Sequence, residues 1–202
     1  EISKLLDPNI AFTKSLWGFP DNPILTKEEY REKFPFSAYG DEKEFQNWEL
    51  EKQVFTDGFD TEKSTTVKLK KLNKCKEGVY QIVIKSKDSY GKEIVKKQYF
   101  VLFDKESSKL PYVSQEWLVP LEKQVEPGQT VSFLIGSSLD QKVLVELEHN
   151  SEILKSYWLT LNNEQKVVSF PVKKWGDGGC VFGCGRFCTR SQKQCFWLQV
   201  LP

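Results

Sequence analysis

Four cysteines near the end of the chain have the greatest potential for chemistry, because their thiolates could bind a metal ion or oxidise to disulfides. Their spacing does not follow the ligand pairs of zinc fingers and ribbons. If residues 180–188 form a strand, thiols four residues apart are separated by about 13 Å, whereas zinc holds sulfur at about 2.3 Å. We therefore predict no metal site. The four residues are Cys180, Cys184, Cys188 and Cys195.

Three explanations for these cysteines stay open. They could be small apolar side chains that fill a buried strand face. A hairpin could instead place Cys188 opposite Cys195 and allow a disulfide, or the group could hold a metal or a cluster. A fifth cysteine, Cys75, stands alone. Because the composition changes abruptly over 176–202, we assign these cysteines no function.

The single histidine, His149, is the other candidate for catalysis. It falls at the tip of a predicted hairpin, where a solvated turn residue is expected. A Ser-His-Asp or Cys-His site would need partners from elsewhere, and the sequence has no nucleophile-elbow pattern. Paired carboxylates, glycine-rich phosphate loops and metal-ligand motifs are also missing from the sequence. We predict a protein that is not an enzyme, with no catalytic, cofactor-binding or metal-binding residues and no cofactor.

Size and charge limit the possible partners. The chain has 202 residues, a net charge of +1 and 28% charged residues, without the clustered basic excess of a nucleic-acid-binding protein. No apolar run reaches the roughly 18 residues of a membrane span. We therefore predict no nucleic-acid partner and no membrane insertion. The first residues do not have the pattern of a signal peptide, and methionine is absent, so we expect a piece of a longer protein.

Alternating apolar and polar residues over 126–172 indicate antiparallel strands with one buried face. Four short runs, separated by turn residues, predict four strands, with a hairpin turn around His149. The residues that alternate most clearly are Val131, Phe133, Ile135, Val143, Val145, Leu147, Val168, Phe170 and Val172.

The first half of the chain predicts one short helix followed by strands. Thr26 and Glu29 form a capping box, so we expect a helix over 27–34 that Pro35 ends. A strand through Phe55 precedes the Asp57–Gly58 turn, and a further strand covers Val67 to Leu69. Residues 78–103 predict a hairpin closed by the four-residue turn 88–91.

Aromatic residues are frequent, at 13% of the chain. Those around the short helix are expected to pin the irregular region onto a sheet, or else to form a ligand-binding cluster: Trp17, Phe19, Phe34, Phe36 and Tyr39. Trp117 and Trp158 indicate core or interdomain packing. Trp17, Trp48 and Trp175 lie in less regular surroundings and would be the better platforms for stacking on sugars.

A polar stretch, 104–111, divides the chain into two predicted domains, 1–106 and 107–202. If it is a linker, Phe103 and Tyr112 belong to different cores. Its charged residues should then be solvated: Asp104, Lys105, Glu106 and Lys109.

The strand patterns resemble macroglobulin domains of the bacterial alpha-2-macroglobulin family. The resemblance rests on Pro-Gly-Gln-Thr-Val at 127–131, on the hairpin at His-Asn-Ser 149–151, on Ser-Phe-Pro-Val at 169–172 and on Glu-Gly-Val-Tyr at 77–80. It implies an all-β fold of two immunoglobulin-like antiparallel β-sandwich domains of about seven strands each, with a short helix near the N-terminus.

The resemblance also implies a function. Such domains are scaffold, so we expect a non-catalytic fragment of a protease-trapping protein, an endopeptidase inhibitor. Its partners would be neighbouring domains and the proteases that the whole molecule entraps. The location would be the periplasm or cell surface of the cell envelope, as part of a lipoprotein. Arg186 and Phe187 stand where a thioester motif would have Glu and Gln, so no thioester is expected in this chain, and the bait and any thioester would lie outside it. The alternative is a carbohydrate-binding or adhesin-type β-sandwich module of a cell-surface protein.

Overall fold

The computed structural model describes residues 1–13, 18–60, 63, 66, 69, 74–88, 90–123, 125–126, 128–149, 152–172, 182–188 and 193–198. For 148–149, 182–188 and 193–198 the description covers the backbone. Two antiparallel sheets, one α-helix and one short 3₁₀ helix (Phe45–Asn47) make up the regular structure of these residues, which confirms the all-β class.

The chain divides into two compact units. The first contains residues 1–104 and 111–113, and the second contains 105–110 and 114–202. Among the described residues the first unit has four strands and the second has five, with one sheet in each. The immunoglobulin-like type, with about seven strands in two facing sheets, therefore stays a prediction.

The sheet of the first unit has the order β2-β1-β3-β4. Its central strand β1 pairs with β2 on one side and with β3 on the other. Ile2, Leu5, Val79 and Tyr80 are at most 2% exposed and form the interior. The strands are β1 (Ile2–Leu5), β2 (Leu50–Phe55), β3 (Gly78–Lys87) and β4 (Glu93–Leu102).

Two predicted features of this unit are confirmed. Strands β3 and β4 form a continuous hairpin, from the pair Gly78–Leu102 to the pair Lys87–Glu93. A strand through Phe55 is present as β2, which ends at that residue, whereas residues 56–60 show no turn at Asp57–Gly58. Of the further predicted strand, Val67 and Lys68 fall outside the described residues, and Leu69 is described without strand structure.

The short helix, α1, spans Lys27–Lys33 and begins with the predicted capping box. The Glu29 backbone N–H donates to the Thr26 hydroxyl over 3.3 Å, and the Thr26 N–H donates to the Glu29 carboxylate over 2.9 Å. The Phe34 N–H donates to the Tyr30 carbonyl and closes the last turn. Pro35 follows, so the helix ends where the sequence predicts.

A long hairpin organises the second unit. Strand β6 pairs with β7 along its length; its other edge pairs with β5 over 133–136 and with β8 over 142–148. Strand β9 completes the sheet by pairing with β8. The strands are β5 (Trp117–Pro120), β6 (Thr130–His149), β7 (Glu152–Pro171), β8 (Phe182–Cys188) and β9 (Lys193–Leu198).

The prediction of four short strands over 126–172 is wrong, because β6 and β7 are two strands of twenty residues each. Between the pairs Ser137–Glu164 and Asp140–Asn162, two residues of β6 face Asn163 alone. Asn163 adopts a φ of 50°. This is a β-bulge, in which the chain bends and continues without reversing. The sequence predicted the hairpin at 149–152 correctly.

The alternating apolar residues of β6 and β7 form the core of the second unit, as predicted. Residues of the cluster lie both before and after the bulge. The same face of the β6–β7 sheet is therefore buried on both sides of the bulge. Its buried members are Val131, Phe133, Ile135, Val143, Val145, Leu161, Val168, Phe170 and Val172.

The expectation that Phe103 and Tyr112 belong to different cores is wrong, because both residues are in the first unit. The Tyr112 ring packs edge-on against Phe45 at 5.5 Å. Residues 105–110 instead belong to the second unit, where Gln165 donates to the carbonyls at 107 and 108 over 2.9 and 2.8 Å. The stretch 104–111 is therefore not a free linker, because hydrogen bonds attach it to β7. Its four charged residues are exposed, as expected.

Strands β6 and β7 approach closely at Gly136, where there is no room for a side chain. A Cβ added there would lie 2.8 Å from the Gln165 Cβ, 3.1 Å from its Cα and 3.2 Å from the Glu164 carbonyl oxygen. We expect Gly136→Ala to lower the free energy of unfolding by about 1–3 kcal/mol through overpacking, measured by urea denaturation. Gly58→Ala is the matched control, because a Cβ at Gly58 meets no atom within 4 Å. Equal effects of the two changes would contradict this account of the hairpin.

Candidate functional site

A cleft of about 490 Å³ lies within the first unit. The segment after β1, helix α1 and the segment before β2 form its walls. The Leu6 N–H donates to the Glu49 carbonyl over 2.8 Å and ties two of these walls together. The lining residues combine aromatic, cationic and acidic side chains: Leu6, Pro8, Phe12, Lys27, Arg31, Tyr39, Asp41, Glu42, Asn47, Trp48 and Glu49.

Glu42 is the centre of the polar network in the cleft. Its Oε1 accepts from Lys27 Nζ at 2.5 Å and from Arg31 Nη2 at 2.9 Å. Its Oε2 accepts from the backbone N–H of Tyr39 at 3.1 Å. Lys27 and Arg31 are four residues apart on α1, so they project from the same helix face and meet one carboxylate.

These contacts determine the charge of Glu42. Its side chain is only 16% exposed, and this burial alone would raise the pKa of the carboxyl. The hydrogen bonds from Lys27 and from the Tyr39 N–H, with the charges of Lys27 and Arg31, outweigh burial and lower the pKa below its usual value of 4.5. Glu42 is therefore ionised at neutral pH and does not act as a proton donor.

Trp48 forms the aromatic wall of the cleft and is half-buried. Its indole N–H donates to the Glu42 carbonyl oxygen over 3.0 Å. Its ring packs edge-on against Phe45 at 5.0 Å and Tyr112 at 5.8 Å. The hydrogen bond and the ring contacts fix the orientation of the indole, which gives the cleft a rigid apolar surface beside its charges.

The predicted aromatic cluster assembles on the helix. The Phe19 ring lies 4.7 Å from Tyr39 and 5.8 Å from Tyr30 of α1, and Tyr30 lies 5.0 Å from Phe34. These rings brace α1 against the segment that carries Glu42. Phe36, a further member, is 49% exposed. Trp17 lies outside the described residues.

The other tryptophans separate into two cases. Trp117 is 6% exposed, which confirms core packing. Trp158 is 56% exposed, so its prediction as a core residue of this chain is wrong. Trp158 pairs with Leu144, which alternates with the core residues Val143 and Val145 and therefore belongs to the opposite face of the sheet. Trp175 lies outside the described residues.

The backbone places the remaining sequence candidates. His149 ends β6 and pairs with Glu152. The register of β8 and β9 pairs Cys188 with Lys193 and Cys195 with Arg186. The two cysteines are therefore offset by two residues, and the arrangement in which they stand directly opposite each other is wrong. Cys184 lies on β8, and Cys180 falls outside the described residues.

No group of three or more His, Cys, Asp or Glu residues in the described part of the chain could hold a metal ion. No helix in it is both long and apolar enough to cross a bilayer.

The sequence did not identify the residues of the cleft apart from Trp48 and Tyr39. Lys27 and Arg31 did carry a signal, since they are one turn apart in a correctly predicted helix. Glu42 lies eleven residues beyond Arg31 in an irregular segment, and no pattern joins it to the helix.

Comparison with known proteins identifies no relative. No protein-family model, no curated protein and no solved structure matches the chain.

Replacing Glu42 tests the polar network. We expect Glu42→Gln to lower the free energy of unfolding by about 1–2 kcal/mol at neutral pH, because Lys27 and Arg31 lose their shared carboxylate. The folded pKa of Glu42 is depressed, so its stabilisation is present above about pH 4.5 and is lost as the pH falls through the folded pKa. Urea denaturation at about pH 7 and about pH 3 measures the difference.

The matched control is Glu44→Gln, because Glu44 is exposed and makes no side-chain hydrogen bond to the 3₁₀ turn that follows it. A loss of stability as large in this control, or a Glu42→Gln effect that persists unchanged at about pH 3, would show that Glu42 does not organise the cleft.

Proposed function

We propose that this chain is a non-catalytic structural module of a bacterial alpha-2-macroglobulin-like, protease-trapping protein. Its two units would be macroglobulin-type domains that serve as scaffold and as contacts for neighbouring domains. The whole molecule, at the periplasmic or outer cell surface, would entrap the protease. The proposal joins the sequence resemblance to an antiparallel all-β architecture and to one exposed surface of the second unit.

That surface, here named the β7 surface, carries the proposal. It consists of Ile153, Trp158 and Val167, which are 55%, 56% and 49% exposed. Ile153 pairs with Glu148 and Trp158 with Leu144; these β6 positions are four residues apart, so they share one face of the sheet. Val167 precedes the core residue Val168 and therefore faces away from the core.

Large apolar side chains that a sheet leaves exposed are candidates for contact with another surface. Within the described residues, β6 is the one strand that pairs with β7. On the outer edge of β7 the Gln165 N–H donates to the Ser108 carbonyl, and the rest of that edge has no strand partner in the described part of the chain. A long edge strand with large apolar side chains is a liability in an isolated protein. Coverage by an adjacent domain removes that liability, which supports a scaffold role.

Oxidative footprinting tests the contact directly. Hydroxyl radicals oxidise exposed tryptophan, so we expect the 202-residue chain to be strongly labelled at Trp158. In the protein encoded by the complete gene, we expect labelling of Trp158 to fall several-fold because a neighbouring domain covers the β7 surface. Trp117, which is 6% exposed, is the internal control and should be weakly labelled in both. Unchanged labelling of Trp158 would contradict the proposed domain contact.

A second measurement tests the absence of catalysis. The 202-residue chain is incubated with proteases of several classes and with general ester and peptide substrates. We expect neither inhibition nor hydrolysis, since bait and trap would lie elsewhere in the parent protein. Inhibition or turnover by this chain alone would count against the scaffold proposal.

The cleft favours a second candidate, a carbohydrate-binding module. Trp48 provides an aromatic wall, and Asp41, Asn47 and Glu49 surround it with hydrogen-bonding groups. Sugars bind to such sites by stacking an apolar ring face on the indole while their hydroxyl groups bond to carboxylates and amides.

A glycan array separates the two candidates. We expect no binding from a scaffold module. Binding that falls about tenfold or more in Trp48→Ala, but is unchanged in Trp158→Ala, would replace the scaffold proposal with sugar recognition at the cleft. Trp158→Ala is a matched control because it removes an exposed indole from the other unit.

A further inference from the structure

The β3–β4 hairpin continues beyond the body of its sheet. Strand β1 pairs with β3 only as far as Ile82, and the backbone at Glu1 makes a last pair of hydrogen bonds with Val83. Residues 84–97 are here named the arm. From the pair Ile84–Lys96 outward the arm is a two-stranded ribbon, and Lys97 lies at its base opposite Val83. Val79, Tyr80 and Gln81 are buried, whereas 84–87 and 93–97 are exposed. The arm therefore has few packing partners within the described residues.

Apolar side chains are exposed on both faces of the arm. Ile84 pairs with Lys96 and the next same-face pair joins Ser86 to Ile94, so Ile84 and Ile94 share a face. They are 44% and 53% exposed. Val95 pairs with Lys85 on the opposite face and is 48% exposed.

Lysines surround these apolar residues. The arm contains five lysines against Asp88 and Glu93, a net charge of +3 in a chain whose total is +1. One lysine, Lys85, pairs with the Glu1 carboxylate at 3.2 Å. Among the ion pairs of the described residues, none involves the other four: Lys87, Lys92, Lys96 and Lys97.

Hydrogen bonds between residues 88 and 90–92 close the turn at the tip of the arm, which presents an aromatic side chain. The Asp88 carboxylate accepts from the backbone N–H groups of Tyr90 and Lys92 at 2.9 and 2.8 Å. The Asp88 N–H donates to the Lys92 carbonyl, and Gly91, with a φ of 82°, donates back to the Asp88 carbonyl. Tyr90 is 94% exposed on this turn.

We propose that the arm binds the surface of an anionic phospholipid membrane. The lysines would contact lipid phosphates, while Tyr90, Ile84, Ile94 and Val95 enter the boundary between head groups and acyl chains. Tyrosine favours that boundary because its ring is apolar and its hydroxyl is polar. Lysine stems lie along apolar surface while their ammonium groups reach the phosphates.

The distribution of residues favours a membrane over an acidic protein partner. A protein usually covers one face of a ribbon, whereas the interface of a bilayer surrounds the end of an inserted arm. The arm has exposed apolar residues and lysines on both faces, as an interface requires. The contact is peripheral, because the unpaired backbone edges of a two-stranded ribbon cannot enter hydrocarbon. The proposal does not depend on the scaffold role.

Vesicle binding tests the proposal. The 202-residue chain is sedimented with vesicles of phosphatidylglycerol and phosphatidylcholine, and separately with phosphatidylcholine alone. We expect binding to the anionic vesicles only, and its loss at about 1 M KCl, where the screening length falls to about 3 Å. Each lysine should change the affinity about fivefold. Lys92→Gln combined with Lys96→Gln should therefore weaken binding about twentyfold or more.

The control is Lys109→Gln combined with Lys123→Gln, which removes the same charge from two exposed lysines of the second unit. It should change the affinity by less than about twofold. Tyr90→Ser keeps the charge and should weaken binding several-fold through lost apolar contact. Amide hydrogen exchange of the bound protein should slow in peptides covering 84–97.

Several results would overturn the proposal. One is that the protein does not bind anionic vesicles, and another is that it binds phosphatidylcholine vesicles equally well. A third is that the arm variant and the control variant lose the same affinity. The last is that hydrogen exchange slows only in peptides that lie outside the arm. Binding to polyglutamate without binding to vesicles would also overturn it, in favour of an acidic protein partner. Circular dichroism and thermal unfolding confirm that each variant is folded.

Discussion

Backbone pairing between β6 and β7 is the interaction on which the second unit depends. The ladder extends over two strands of twenty residues and brings together side chains that are up to 41 positions apart, such as Val131 and Val172, in one buried cluster. Because side chains alternate between faces, a slip of one residue would turn the buried set toward solvent. The bulge opposite Asn163 absorbs one extra residue of β6 and preserves that alternation. Strands β5 and β8 then add to an edge that β6 has already positioned.

The first unit is held together differently. Its buried apolar residues are concentrated near β1 and the first half of β3, and the described residues between β1 and β2, 6–13 and 18–49, contain no strand. Polar contacts stabilise these residues instead: the capping box fixes the start of α1, and Glu42 joins two side chains of that helix to the backbone at Tyr39. A partly buried carboxylate that loses its hydrogen-bond donors is strongly destabilising, because it has already lost much of its hydration. The segment that carries the carboxylate is therefore held in the position where those donors reach it. The cleft results from this bracing.

Both units leave apolar side chains on their outer surfaces. A single sheet buries one face well and exposes every second residue on the other, as Trp158 beside the core of β7 illustrates. The arm also exposes apolar side chains, because it extends beyond the last residue of β3 that pairs with β1. Exposed apolar residues arranged along one strand, or on both sides of a lysine-rich ribbon, differ from the scattered ones of an ordinary surface. These positions are where the molecule is best suited to meet other surfaces.

The sequence by itself determined the local features. It predicted the capping box and helix α1, the β3–β4 hairpin and the inward set of β6 and β7, because hydrogen bonds between near neighbours and side-chain alternation depend on adjacent residues. Only the tertiary structure decided the rest. Residues 138–141 lie between two predicted strands, yet they continue β6 with a bulge at 138 and 139, because pairing with β7 is worth more than reversing the chain there. Tyr112 joins Phe45 and Trp48, and Glu42 joins Lys27 and Arg31, through contacts between segments distant in sequence. Trp158 is exposed because it pairs with Leu144, on the face of the sheet opposite the core. No local sequence pattern specifies that pairing.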